Sequence, residues 1–274
     1  MGLGLRVKTG LLKNTIRNSK ESVCRYFIER KAKENIENNG VLDIPIIINN
    51  YNRYNAFVSL VDWFKGAGFR DVIILDNNSN YPPLLEYYKK NTFCNIIYLG
   101  KNVGHTALWD TGFYKKICNS YFCYTDPDVV PVEECPSDLV ARLLELLWKY
   151  PEYLKAGPGL RLSDIPDCYG KKDSVLLWES QFWENPIEKN VYKAKLDTTF
   201  AIYRPRVLHG SVSMALSLRT GEPYVFHHTP WYEDTNNLSH EEAFYQKTAA
   251  GISWWSDPSN LGPDRVKKML HDTK

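Results

Sequence analysis

From residue 41 onward the chain alternates short apolar runs with amphipathic stretches. IPIIIN (44–49) is a β-branched run of the kind seen in strands buried on both faces. In the NRYNAFVSLVDWFKGAG that follows, Phe57, Leu60, Val61 and Phe64 fall at helical spacing, and Gly66 and Gly68 supply the stop. DVIILD (71–76) predicts a second strand, YPPLLEYYKK (81–90) a short helix begun by prolines, and NIIYLG (95–100) a third strand. GHTALWDTGFYKKIC (104–118) has a helical pattern, and YFCYTDPDVVP (121–131) holds a fourth strand. SDLVARLLELLWKY repeats apolar positions at Leu139, Leu143, Leu144 and Leu147 behind an N-cap at Ser137 or Asp138. Helices alternating with strands imply right-handed crossovers and a mostly parallel sheet.

The second half is less regular. YLKAGPGLRL (153–162) and KAKLDTTFAIYR (193–204) have the composition of strands, and DSVLLWESQFW between them that of a helix. SHEEAFYQKTAAG predicts a late helix with a capping box from Ser239 to Glu242. The expected organisation is one α/β domain over residues 41–250, a basic helical extension over 1–40, and a short tail over 251–274 that begins near Trp254 and Trp255.

Composition narrows the function. The chain has 274 residues, enough for one sizeable core. A net charge of +2 argues against nucleic acid as the main partner. The six cysteines form no CxxC pair and have no histidine cluster beside them, which argues against a zinc site or disulfide scaffold and fits a reducing, cytoplasmic compartment. No apolar run reaches membrane-span length, and the first residues lack the apolar stretch of a secretory signal. In residues 1–40, nine Arg and Lys outnumber four acids, Glu21, Glu29, Glu34 and Glu37, with Leu, Ile, Tyr and Phe interspersed among them; this is either a basic amphipathic helix touching an anionic membrane surface or a helical extension packed on the domain.

Ligands on open parallel sheets bind at the carboxyl ends of the strands. Here those ends carry Asn49-Asn50-Tyr51-Asn52-Arg53, Asp76-Asn77-Asn78-Ser79, Gly100-Lys101-Asn102-Val103-Gly104 and Thr125-Asp126-Pro127-Asp128. One such end is ordinary turn chemistry; four in succession line one crevice. Asp126 and Asp128, two apart and directly after an apolar strand, can meet one hard divalent cation, Mn²⁺ or Mg²⁺, of the kind held by one or two carboxylates plus substrate phosphates. Such a metal neutralises charge building on a departing diphosphate.

Residues 43–130 resemble the nucleotide-binding half of GT-A glycosyltransferases, in the style of the large family-2 group. The resemblance rests on IPIIINNYNR, VIILDNNS, Asn102-Val103-Gly104 and TDPD, in that order and spacing. It implies transfer of one sugar from a UDP- or GDP-sugar to a hydroxyl of a glycan or lipid-linked acceptor, in surface-glycan synthesis at the cytoplasmic face of a membrane. It places Asn50 and Asn52 at the donor pocket, Asp76 on the base or ribose, Gly104 where the backbone approaches the nucleotide, Asp126 on the ribose or a metal-bound water, and Asp128 on the metal. The family's second strand more often ends in two acids; here Asn77 follows Asp76.

Further candidates lie in the second half. His228, in His227-His228-Thr229-Pro230-Trp231-Tyr232, is the candidate third metal ligand, and Trp231 and Tyr232 are candidates for stacking on a sugar. An inverting transferase needs a base for the acceptor proton. Asp197, in an expected strand, is the first candidate, with Glu179, Glu233 and Asp234 as alternatives. Arg161 is a candidate contact for donor phosphate or acceptor. Two other functions compete. A sugar nucleotidyltransferase needs a glycine-rich basic loop after the first strand, where this chain has NNYNRYN; a non-catalytic sugar-nucleotide-binding relic has no need of Asp126, Asp128, Asp76 and His228 together. No G-x-G-x-x-G supports a dehydrogenase.

Overall fold

A computed structural model describes residues 24–249. Helix α1 covers residues 24–39. The chain then runs β1 (Ile46–Asn50), α2 (Asn55–Gly66), β2 (Val72–Asp76), α3 (Pro82–Lys90), β3 (Asn95–Tyr98), α4 (Ala107–Asp110), α5 (Tyr114–Ile117), β4 (Phe122–Thr125), β5 (Val129–Pro131) and α6 (Leu139–Lys149). After these come β6 (Lys155–Leu160), α7 (Lys172–Glu179), β7 (Pro186–Glu188), β8 (Val191–Lys193), β9 (Ala201–Tyr203), α8 (Ser211–Ala215), β10 (Ser217–His228) and α9 (His240–Thr248).

The strands form one sheet in the order β3-β2-β1-β4-β9-β6-β10-β8-β7, with β5 paired to β10. The first four are parallel. Beyond them β9 runs antiparallel to β4 and β6, while β6 and β10 are parallel. A parallel half followed by a mixed half is the arrangement the GT-A resemblance implies. Ile46, Ile47 and Ile48 of β1 are fully buried because apolar layers cover both faces. Ile46 and Ile48 meet Phe57, Leu60 and Phe64 of α2 on one side; Ile47 joins Ala107 and Leu108 of α4 and Tyr114 of α5 on the other. This alternation follows from the two-residue period of a strand.

Several expectations change. The stretch 104–118 is two short helices, because Gly112 breaks it at φ +75, a left-handed conformation open to glycine. The expected strand 193–204 survives only as β9, and Asp197 sits in the loop before it, with a side chain 61% exposed. Asp138 precedes α6 without capping it; its Oδ1 accepts from the Tyr224 hydroxyl (3.0 Å). The Ser239 cap does form, its Oγ accepting from Glu242 N (3.2 Å), but in place of the reciprocal Glu242 bond of a capping box Ser239 N donates to Glu233 Oε2 (3.1 Å).

Helix α1 packs on the domain through Ala32 and Ile36, and Glu29 accepts from the Tyr121 hydroxyl (2.9 Å) and from Arg204. Residues 1–23 of the expected extension, and the tail with Trp254 and Trp255, lie outside the described residues. Among the described residues, no helix is long and apolar enough to cross a membrane.

Candidate active site

A cleft of about 590 Å³ opens over the carboxyl ends of β1 to β4 and extends across the mixed half. Its centre is set by sheet pairing. Antiparallel pairing of β5 with β10 puts His228 opposite Val129, one residue past Asp128. Thr229 then fastens the two segments, its N–H and hydroxyl both donating to the Asp128 carbonyl (2.8 and 3.1 Å). The result is His228 Nε2 4.0 Å from Asp128 Oδ1. Burial lowers the His228 pKa, so the imidazole is neutral and able to ligate. Its ring rests on the buried Trp231 (4.7 Å between centroids).

Asp126 is held from the opposite wall. Its N–H donates to the Thr198 carbonyl (3.2 Å), and its Oδ2 accepts from the Thr198 hydroxyl (2.8 Å). Burial first, then the neighbouring Asp128 charge, push its pKa to about 8. Lys155, fully buried at the start of β6, donates to the Asp197 carbonyl (2.8 Å) and the Tyr203 hydroxyl (3.1 Å), anchoring the loop that carries Asp197 and Thr198. Burial lowers its pKa to about 7.

Arg53 completes the centre. Its Nε lies 3.5 Å from Asp128 Oδ2, its Nη1 pairs with Glu242, and its guanidinium stacks over the Tyr245 ring (3.5 Å). Burial opposes its charge, but Asp128 and Glu242 outweigh burial and raise its pKa. Among the described residues, no three His, Cys, Asp or Glu side chains gather in metal-binding geometry. The Asp128–His228 pair nevertheless fits a cation completed by substrate. Two bonds of ~2.1 Å span at most ~4.2 Å, and divalent cations often take their remaining ligands from phosphate.

Over the carboxyl ends of β1 to β3, Asn49, Asn77 and Asn102 form a polar rim. Asn77 Nδ2 donates to Asn49 Oδ1 (2.6 Å), Asn49 Nδ2 to the Gly104 carbonyl (3.1 Å), and Val103 N to Asn77 Oδ1 (2.9 Å). Asn102 Oδ1 accepts from Gly104 N (2.9 Å). Gly104 has φ +91 and open space where a Cβ would stand, so its backbone is bare toward the cleft.

Eight of the candidate residues from the sequence line this cleft: Asn102, Gly104, Asp126, Asp128, Glu179, Asp197, His228 and Trp231. Asn50, Asn52, Asp76, Arg161, Tyr232, Glu233 and Asp234 do not. Asn50 is turned inward, donating to the Arg53 carbonyl and the Tyr88 hydroxyl (both 3.0 Å). Asn52, at φ +55, clamps the loop instead, accepting from Asn80 N and Tyr81 N and donating to Thr248 Oγ1. Asp76 is buried beneath the rim, accepting from Ser79 N (3.1 Å). Arg161 is held by Glu222 (two bonds of 2.8 Å). Period-two alternation explains the slip at β1: Asn49 faces the cleft, so its neighbour Asn50 faces away.

Glu179 lines the mixed-half wall, but Arg219 Nη1 donates to its Oε2 (2.8 Å), both residues are 5% exposed, and the guanidinium rests on Phe182 (4.1 Å). Tyr232 bonds Asp164 (2.6 Å) and Glu233 caps Ser239, so both are engaged elsewhere. Sequence reasoning placed Arg53 at the crevice without a role, and missed Lys155, Thr198, Arg219 and Tyr245 as parts of the site. Of these, Lys155 alone carried a signal, as a lysine inside an apolar strand.

No family model matches the chain, and no curated protein matches it. Solved structures do. The chain is similar to Staphylococcus aureus TarS residues 1–349, with 13% identity, 83% of this chain and 69% of that one covered, and a TM-score of 0.43. It is similar to glucosyl-3-phosphoglycerate synthase from Mycobacterium tuberculosis in complex with Mn²⁺ and UDP-glucose, with 11% identity, 76% and 77% covered, and a TM-score of 0.42. It is also similar to a mycobacterial protein at 10% identity, with 65% of each chain covered and a TM-score of 0.40. These are likenesses of fold alone.

Proposed function

We propose that this chain is a glycosyltransferase that moves a sugar from a nucleoside-diphosphate donor, UDP- or GDP-linked, to a hydroxyl of a glycan or lipid-linked acceptor. The observation that carries the proposal is the Asp128–His228 pair, 4.0 Å apart and facing into the cleft at the end of a parallel sheet. Asp128 and His228 would hold Mn²⁺ or Mg²⁺, with Asp126 beside them toward the ribose. When bound, the cation supplies neutralisation of the charge that develops on the diphosphate.

The chain's own residues do the rest. The asparagine rim and the bare Gly104 backbone bind the nucleoside, in a crevice at strand ends where such ligands sit. Arg53 adds a fixed positive charge next to Asp128 and attracts the diphosphate. Asp197, exposed in the cleft with His209 Nε2 3.7 Å behind it, accepts the acceptor proton during an inverting displacement. Glu179 is less suited to that step, because Arg219 already occupies its Oε2. All six cysteines are free, which suits a reducing, cytoplasmic setting, and the assembly of a surface glycan there fits the same chemistry.

Asp128→Ala should abolish cation-dependent turnover of UDP- and GDP-sugars while leaving the circular dichroism spectrum unchanged. Wild-type turnover in that variant would remove the proposal.

A further inference from the structure

Five large apolar side chains are strongly exposed among the described residues, and four of them belong to two segments: Tyr26 and Phe27 on α1, and Leu208 and Val212 around the start of α8, each 60–64% exposed. The two segments are neighbours. Glu29, on α1, pairs with Arg204, at the head of the second segment. Arg206 N donates to the Cys118 carbonyl (2.8 Å), tying that segment to the end of α5, and Arg25 and Arg206 both act electrostatically on Tyr114 of α5. Between the apolar residues lie Arg25, Lys115, Lys116 and Arg206, none of which has an ion-pair partner among the described residues; Lys115, Lys116 and Arg206 are exposed. Glu29, one helical turn from Arg25, is paired with Arg204.

Exposed aromatic and aliphatic side chains interleaved with unpaired cations are matched by an interface that is apolar inside and anionic outside. We infer that this face docks on an anionic lipid surface. Tyr26, Phe27, Leu208 and Val212 enter the headgroup boundary, and Arg25, Lys115, Lys116 and Arg206 meet the lipid phosphates. The docked face adjoins the mixed-half end of the cleft: α8, which exposes Val212, also supplies Met214 to the cleft lining, and His209 stands 3.7 Å from Asp197. Docking therefore brings Asp197 close to the membrane plane. The proposal does not depend on the transferase assignment, since lipid binding needs no donor.

The test is co-sedimentation of the full chain with vesicles of phosphatidylcholine alone and of phosphatidylcholine mixed with phosphatidylglycerol. Binding should require the anionic lipid and disappear in high salt. Lys115→Gln with Lys116→Gln should weaken it by more than about tenfold, at roughly fivefold per basic residue. Tyr26→Ser with Phe27→Ser, and independently Leu208→Ser with Val212→Ser, should each weaken it at unchanged circular dichroism. Tyr98→Ser, the fifth exposed residue, should leave it intact. No binding to either vesicle, or binding untouched by all three double variants, overturns the inference, the latter by moving the contact elsewhere in the chain. Retained membrane binding in Asp128→Ala separates this surface from the active site.

Discussion

Removing the Arg219 guanidinium should expose what Glu179 does. The two side chains meet at 2.8 Å, both are 5% exposed, and both line the cleft. Burial raises the Glu179 pKa and the Arg219 charge pulls it back. Arg219→Met keeps much of the side-chain volume over Phe182 but leaves a buried carboxylate unpaired, at a cost of about 3–5 kcal/mol. For a chain of this size that corresponds to a Tm lower by roughly 6–20 °C. Glu179→Met should cost a similar amount by stranding Arg219. The double variant replaces the pair with apolar volume and should cost only about 1 kcal/mol, so the coupling energy, the two single costs less the double, is about 5 kcal/mol or more. The assay is urea denaturation of all four proteins, with donor turnover measured beside it. Turnover should persist in the double variant, because Asp197 remains. Additive single costs, or singles within ~0.5 kcal/mol of wild type, would refute the buried-pair reasoning. A stable double variant with no turnover would give Glu179 the base role.

Thr198→Val removes the 2.8 Å bond to Asp126 Oδ2 and should lower stability by about 1–2 kcal/mol, while raising the pKa of Asp126 further, read by carboxyl NMR titration. Asp126 has a folded pKa of about 8 against 3.8 for an ordinary aspartate, so between those values the folded state holds a proton the unfolded state has lost. Its contribution to stability in EDTA should therefore fall as pH rises through that window, and the wild-type melting profile should lose that slope in Asp126→Asn. Gly157→Ala would drive a Cβ to 2.1 Å from the Phe200 carbonyl and 2.8 Å from Leu196, and should cost 3 kcal/mol or so by thermal melting, where Gly66→Ala, with open space around it, should not destabilise.

The parallel half was legible because each element there is local. The three isoleucines of β1, the 3.6-residue period of α2 and the Asp-Pro-Asp after β4 can each be read from a few consecutive residues. The centre was legible only in part. His228 was found by its neighbours in sequence, but its approach to Asp128 depends on β5–β10 pairing across a hundred residues, which no local pattern carries. β10 itself was hidden by Gly221 and Pro223, which interrupt its register with β6 between Thr220 and Val225. The role of Arg53 escaped because its partners, Asp128 and Glu242, come from distant elements. Asn50 and Asn52 were chosen over Asn49 because the loop after a strand hides which residue ends the alternation.

Calorimetric titration of UDP and of GDP into the wild-type chain, with Mn²⁺ and then with EDTA, tests the central claim most directly, with Asp128→Ala and His228→Ala as the comparison. The account predicts that one nucleotide binds only with the cation, and that either substitution weakens that binding by at least about tenfold. Equal binding with and without Mn²⁺, or affinity unchanged in both variants, would contradict it.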